Sequence, residues 1–143
     1  MTLSIFQKVT LGLSGVTALG IGVSILAIPH AFYASYGIAL GDNINLLSEL
    51  RAPAAGLTIL SIIMLMGIAR ESLRQTSIIA ALTVFLAFPA GRIIGILVDG
   101  MPSASIVGAL IIELIVAALL MAAFGRRNKT ASSLPSGELP SQS

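Results

Sequence analysis

The chain of 143 residues is 56% hydrophobic and only 10% charged, whereas about a quarter of the residues in an ordinary soluble domain are charged. Its mean hydropathy of +1.00 means more apolar surface than one small core can hide, so the bilayer must act as solvent for much of the chain; disordered, collagenous and nucleic-acid-binding classes are excluded. The net charge of +2 comes from 8 basic side chains too scattered to make a phosphate-binding stripe, and the absence of cysteine excludes disulfides, thiolate metal sites and thiol catalysis.

Four apolar runs follow in chain order, at 9–28, 52–69, 75–98 and 103–124. A helix rising about 1.5 Å per residue needs roughly 20 residues to cross a hydrocarbon core of about 30 Å, and each run has that reach. None alternates polar with apolar residues, so helices are predicted rather than barrel strands. The first run is longer than the apolar part of a signal peptide and is followed by no small-x-small cleavage site, so it reads as a retained helix. Beyond it, Phe32, Tyr33 and Tyr36 read as an anchor at the headgroup level. His30, the only histidine, cannot build a metal site alone and reads as a surface residue.

Small residues set the expected packing. Gly12, Gly15, Gly20 and Gly22 in the first run, Ala52, Ala54, Ala55 and Gly56 in the second, and Gly91 and Gly95 in the third let backbones approach closely, within the chain or, as the alternative, across a dimer face. Pro89 and Pro53 are expected to bend their helices, unless the second helix begins near Leu50 and Pro53 falls in its first turn.

Basic residues fall on one side: Lys8, Arg70, Arg74, Arg126, Arg127 and Lys129. The loop 29–50 carries Asp42 and Glu49 without a Lys or Arg, and the turn 99–102 has none. The positive-inside rule then places both termini in the cytoplasm. The predicted fold is an all-α, integral membrane four-helix bundle over 1–125, followed by a disordered cytoplasmic tail at 126–143 that is too poor in apolar residues to fold.

Two charges stand inside the spans. Glu113 lies near the middle of the fourth, where an ionised side chain costs about 2.5 to 3.5 kcal/mol on insertion scales, so it must face the bundle interior with a partner or a proton. Arg92 in the third span sits roughly 8 Å outward of the midplane, and its long side chain reaches toward Glu113 across helices joined by a tight turn. Asp99, two turns further along the same face, competes for the guanidinium. At the outer end of the second span, Glu49 and Arg51 point about 200° apart and are expected to frame a cavity whose floor is Arg92 and Glu113. One reading makes these five residues ion pairs that only fix helix register. The other makes a polar pocket in which Arg92 or Arg51 binds an anionic or carbonyl head group and Glu113 carries a proton.

The ordered pieces Pro29-His30-Ala31-Phe32-Tyr33, Asn45-Leu46-Leu47-Ser48-Glu49-Leu50-Arg51-Ala52, Gly91-Arg92, Asp99-Gly100-Met101-Pro102 and Glu113 resemble a small bacterial four-transmembrane-helix family of unknown function that is distantly DoxX-like. The resemblance covers roughly 6–124. It points to Glu49, Arg51, Arg92, Asp99 and Glu113, and it implies a multi-pass protein of the bacterial inner membrane but no activity. Where that family has a glycine pair after Arg-Ala, this chain has Pro53-Ala54-Ala55-Gly56.

The leading expectation is a non-enzymatic accessory or binding protein whose partner is a membrane lipid or small amphiphile, with a membrane-protein partner or a second copy as further partners. No cofactor, metal or nucleic acid is called for. The rival is a membrane-embedded enzyme, an isomerase or quinone-linked redox subunit, using Glu113 as acid or base. A transporter is disfavoured because no internal repeat is evident.

Overall fold

The computed structural model describes residues 2–125. The expected tail and its basic residues lie outside the described residues. Helix α1 spans Ile5–Ala27, the short α2 Pro29–Ala34, α3 Ile44–Ala69, α4 Arg74–Asp99 and α5 Ala104–Phe124, with a 3-10 turn at Glu71–Leu73 between α3 and α4. There are no strands among the described residues, and four of the helices are long and apolar enough to cross a membrane.

Local chemistry sets the helix starts. Ser4 and Gln7 form a capping box: the Ser4 hydroxyl accepts from the Gln7 backbone N–H, and the Gln7 side chain accepts from the Ser4 N–H, so two otherwise orphaned donors are satisfied. Proline stands at the first position of α2, where its missing N–H costs nothing. Asn43 caps α3, its side-chain oxygen accepting from the backbone of Asn45 and Leu46 at 3.0 and 3.2 Å. The second apolar run therefore becomes a helix that starts eight residues before 52, at Ile44. Pro53 consequently lies inside the helix, removing one backbone bond there, and Pro89 does the same in α4.

Helix α1 packs on α3, α3 on α4, α4 on α5, and α5 closes back on α1. Gln7 Nε2 donates to the Ala123 carbonyl at 2.8 Å, fastening the start of α1 to the end of α5. The start of α1, the end of α5 and the α3–α4 connection thus share one end of the bundle. At the opposite end Ser103 donates to the Tyr36 carbonyl at 3.2 Å, tying the α4–α5 turn to the segment around α2. Leu11, Met64, Ala81 and Leu120 are fully buried, while Ile59, Ile94, Leu97 and Ile115 face outward, as lipid-exposed surfaces require.

Hydrocarbon drives no helix–helix contact by itself, so close packing and internal hydrogen bonds must hold the bundle. Buried Ser14, Ser61 and Ser77 show how: each hydroxyl donates to a backbone carbonyl, and Ser77 reaches Ile63 on the neighbouring helix as well as Leu73 on its own connection. Gly15 and Gly22 bring α1 against α3, and Gly67 brings α3 against Ser77 of α4. The Gly91 and Gly95 pair behaves differently from the sequence expectation. A methyl group at either would meet nothing within 4 Å: Gly91 is exposed, and Gly95 borders open volume between α4 and α5. Gly20 and Gly56 are likewise open.

Candidate functional site

Arg92 lies seven residues, about 10 Å of helical rise, from the last residue of α4, and Glu113 nine residues, about 13 Å, from the first of α5. The two helices leave one tight turn, so these depths bring the side chains face to face. Arg92 Nε donates to both carboxylate oxygens of Glu113, at 3.1 and 3.0 Å. Glu113 is 7% exposed, and the Arg92 side chain keeps 31% exposure. Only the Nε donor is engaged. Both Nη amino groups have no protein acceptor among the described residues, and neither is sealed from the surrounding space.

Arg92 and Glu113 both stand in the wall of a cavity of about 500 Å³. This is in the range of about 300–1,000 Å³ typical of small-molecule sites, which combine mostly apolar walls with few polar groups. Ala18, Ile21 and Ile25 of α1, Leu50 and Leu57 of α3, Phe85 and Phe88 of α4, and Ala109 and Ile112 of α5 supply apolar surface. A smaller cavity of about 210 Å³ lies on the other side of Arg92, lined also by Asp99, Gly95 and Gly100. Arg92 borders both.

The segment between α1 and α3 covers this end of the bundle. Its short helix α2 and the turn after it place Phe32, Tyr33 and Tyr36 in the wall of the larger cavity, with the Phe32 ring centroid 5.3 Å from each tyrosine ring. His30 Nε2 bonds the Gly41 carbonyl at 2.9 Å, holding the segment folded over itself. The aromatic group is therefore more than an interfacial anchor. Proline as a helix start and the one-face spacing of Phe32 and Tyr36 were the signals in the sequence that the chain turns back here. Burial raises the Tyr33 phenol pKa above its ordinary value, with the Arg92 guanidinium pulling against that rise, so the hydroxyl remains an uncharged donor.

Three of the five expected site residues stand apart from the pair. Glu49 and Arg51 are exposed and line neither cavity. In α3 the cavity face is Leu50, Pro53, Ala54 and Leu57; Glu49 and Arg51 each lie about 100° from Leu50, on opposite flanks. They do not frame the cavity. Asp99 borders the smaller cavity but makes no ion pair among the described residues, since it sits about 10 Å further along α4 than Arg92 and the Arg92 Nε is turned to Glu113.

Chemically, the arrangement offers hydrogen-bond donors at the base of an apolar chamber. A carboxylate with both oxygens on one guanidinium is poorly placed as a general base, which must reach the proton it removes. Among the described residues no three His, Asp or Glu side chains gather to hold a metal ion.

No curated protein and no solved structure matches the chain. A family model does match, over residues 6–124, a span that contains all four long helices almost entire, the aromatic segment and the Arg92–Glu113 pair; the chain belongs to the family of the domain of unknown function DUF4345.

Proposed function

We propose that this is a non-catalytic membrane protein that binds one small amphiphile or lipid, with the head group on Arg92 and the apolar portion along the walls of the larger cavity. The observation that carries the reading is the pairing geometry: Nε alone holds Glu113, which fixes the guanidinium plane and leaves the Nη donors for a ligand oxygen. Tyr33, Phe32 and Tyr36 cover the chamber. The Nη donors face open space with no protein acceptor among the described residues, so a ligand oxygen there adds hydrogen bonds that the protein does not supply.

The reading extends to place and orientation. The charge asymmetry supports cytoplasmic termini and an amphiphile site at the outer leaflet, and the ordered motifs around Arg92 and Asp99 support a distantly DoxX-like protein of the bacterial inner membrane. Reporter fusions after Arg74 and Gly100 are expected to report cytoplasmic and external locations respectively; the reverse pattern would invert the orientation.

The binding reading is tested by plugging the chamber. Ala109 lies on the α5 face that lines it, one turn from Glu113, so Ala109→Phe projects a ring into the open volume. Native mass spectrometry of gently purified protein should show a bound amphiphile on the wild type and its loss in Ala109→Phe. Identical adducts on both proteins would refute the cavity as the binding site.

A further inference from the structure

We infer that the ligand's head group is uncharged, a carbonyl or hydroxyl group rather than a carboxylate or phosphate; this rests on the amphiphile reading and narrows its chemistry. Charge balance around Arg92 decides the head group's class. A guanidinium facing a cavity ordinarily suggests an anion. Here its positive charge is already met by Glu113, whose two oxygens sit 3.1 and 3.0 Å from Nε. The pair is neutral as it stands.

The wider surroundings lean further from an anion. Across both cavities the charged lining consists of Arg92, Glu113 and Asp99, one cation against two acids. An anionic head group between them would bring a second or third negative charge to a single guanidinium in a setting of low dielectric, where uncompensated charge is expensive. A cationic head group would have to lie against Arg92 itself. An uncharged oxygen avoids both penalties: it accepts from the Nη groups and adds no charge. The remaining polar groups suit the same head. The Tyr33 hydroxyl is a neutral group able to donate to a carbonyl, and the outer lone pairs of the Glu113 carboxylate accept from a ligand hydroxyl. Apart from Thr17 and Ser105, whose hydroxyls are uncharged, the chamber otherwise presents hydrocarbon and aromatic rings, Phe85 and Phe88 of α4 among them.

The test compares two probes with the same tail. Monoolein carries an ester carbonyl and hydroxyls without charge, and oleate carries a carboxylate that is ionised at about pH 9. Both are titrated against the full chain in a nonionic maltoside detergent, with occupancy read from a Phe88→Trp variant. The chain has no other tryptophan, so the fluorescence comes from one position on the cavity wall, and the Ala109→Phe background separates cavity binding from a change in the detergent around it. Monoolein is expected to bind about tenfold or more tightly than oleate, and adding Ala109→Phe should abolish the response to both. Oleate binding as tightly as monoolein, or more so, in a manner Ala109→Phe removes would overturn the charge class while leaving the amphiphile reading intact. That includes oleate binding accompanied by proton uptake, which would mean that Glu113 yields its charge to the ligand. If neither probe changes the fluorescence, or if Ala109→Phe folds and leaves the responses unaltered, the binding reading itself fails and this inference falls with it.

Discussion

Replacing Arg92 by leucine while Glu113 remains is expected to lower the stability of the bundle by about 3 kcal/mol, the lower end of the range for breaking a buried ion pair. The lower end applies because the Arg92 side chain retains 31% exposure and part of its interaction is shared with solvent or lipid headgroups. The cost arises almost wholly from what is left behind. Glu113, 7% exposed in the middle of α5, would lose its donor and would have to take up a proton or remain charged in hydrocarbon. The converse substitution, Glu113→Leu, is expected to cost less, since a long arginine side chain reaches outward to water while a glutamate at that depth has no such route. The Arg92→Leu and Glu113→Leu double variant should recover most of the loss, because neither charge then needs a partner. Thermal unfolding of all four proteins in the same detergent measures this cycle. Additive losses in the double variant would show that the two side chains act independently, against the geometry.

Gly22→Val is expected to be as damaging, by about 3 kcal/mol, for a steric reason. A Cβ at Gly22 would stand 2.5 Å from Thr58 Oγ1 and 3.0 Å from both the Ala54 carbonyl oxygen and the Thr58 nitrogen. The hydroxyl is itself anchored, donating to the Ala54 carbonyl at 2.8 Å, and the other two atoms are backbone. Relief therefore requires α1 to move off α3, opening the wall to which both helices contribute cavity residues. Gly20→Ala, two residues away, is the matched control: nothing lies within 4 Å of that position, and alanine's better helix propensity should leave stability unchanged or raised by up to about 1 kcal/mol. Equal unfolding temperatures for Gly22→Val and Gly20→Ala would contradict the close α1–α3 approach.

These two expectations draw on features of different legibility in the sequence. The ion pair was readable because the cost of burying charge leaves few options: a glutamate in mid-span and an arginine on the helix joined to it by a short turn had to meet. The glycine contacts were only half readable. Composition shows that small residues permit close approach, but which of them do so depends on helix rotation, and the rotation put Gly22 at an interface while leaving Gly91 exposed and Gly95 on the smaller cavity. The same dependence misplaced Glu49 and Arg51. Their mutual angle follows from helical geometry alone, yet their orientation toward the cavity depends on which face of α3 the rest of the bundle selects, and that face is Leu50, Pro53, Ala54 and Leu57. The start of α3 was masked by chemistry rather than rotation: 44–51 is polar enough to read as loop, but Asn43 supplies the cap that lets the helix begin there. The aromatic cover over the cavity required knowing that α2 folds back, a long-range fact fixed by the His30–Gly41 and Ser103–Tyr36 bonds.

In the proposed complex Arg92 holds Glu113 with one edge of its guanidinium and presents the other to a ligand. Nitrogen NMR of selectively labelled arginine, with Arg92 assigned by comparison with Arg92→Lys, observes both edges at once. On saturation with monoolein the Arg92 Nη resonances are expected to shift and slow in exchange while Nε keeps its Glu113-bonded signal. An Nη signal that is unmoved at saturating probe, or an Nε signal that already lacks the carboxylate bond in the free protein, would contradict it.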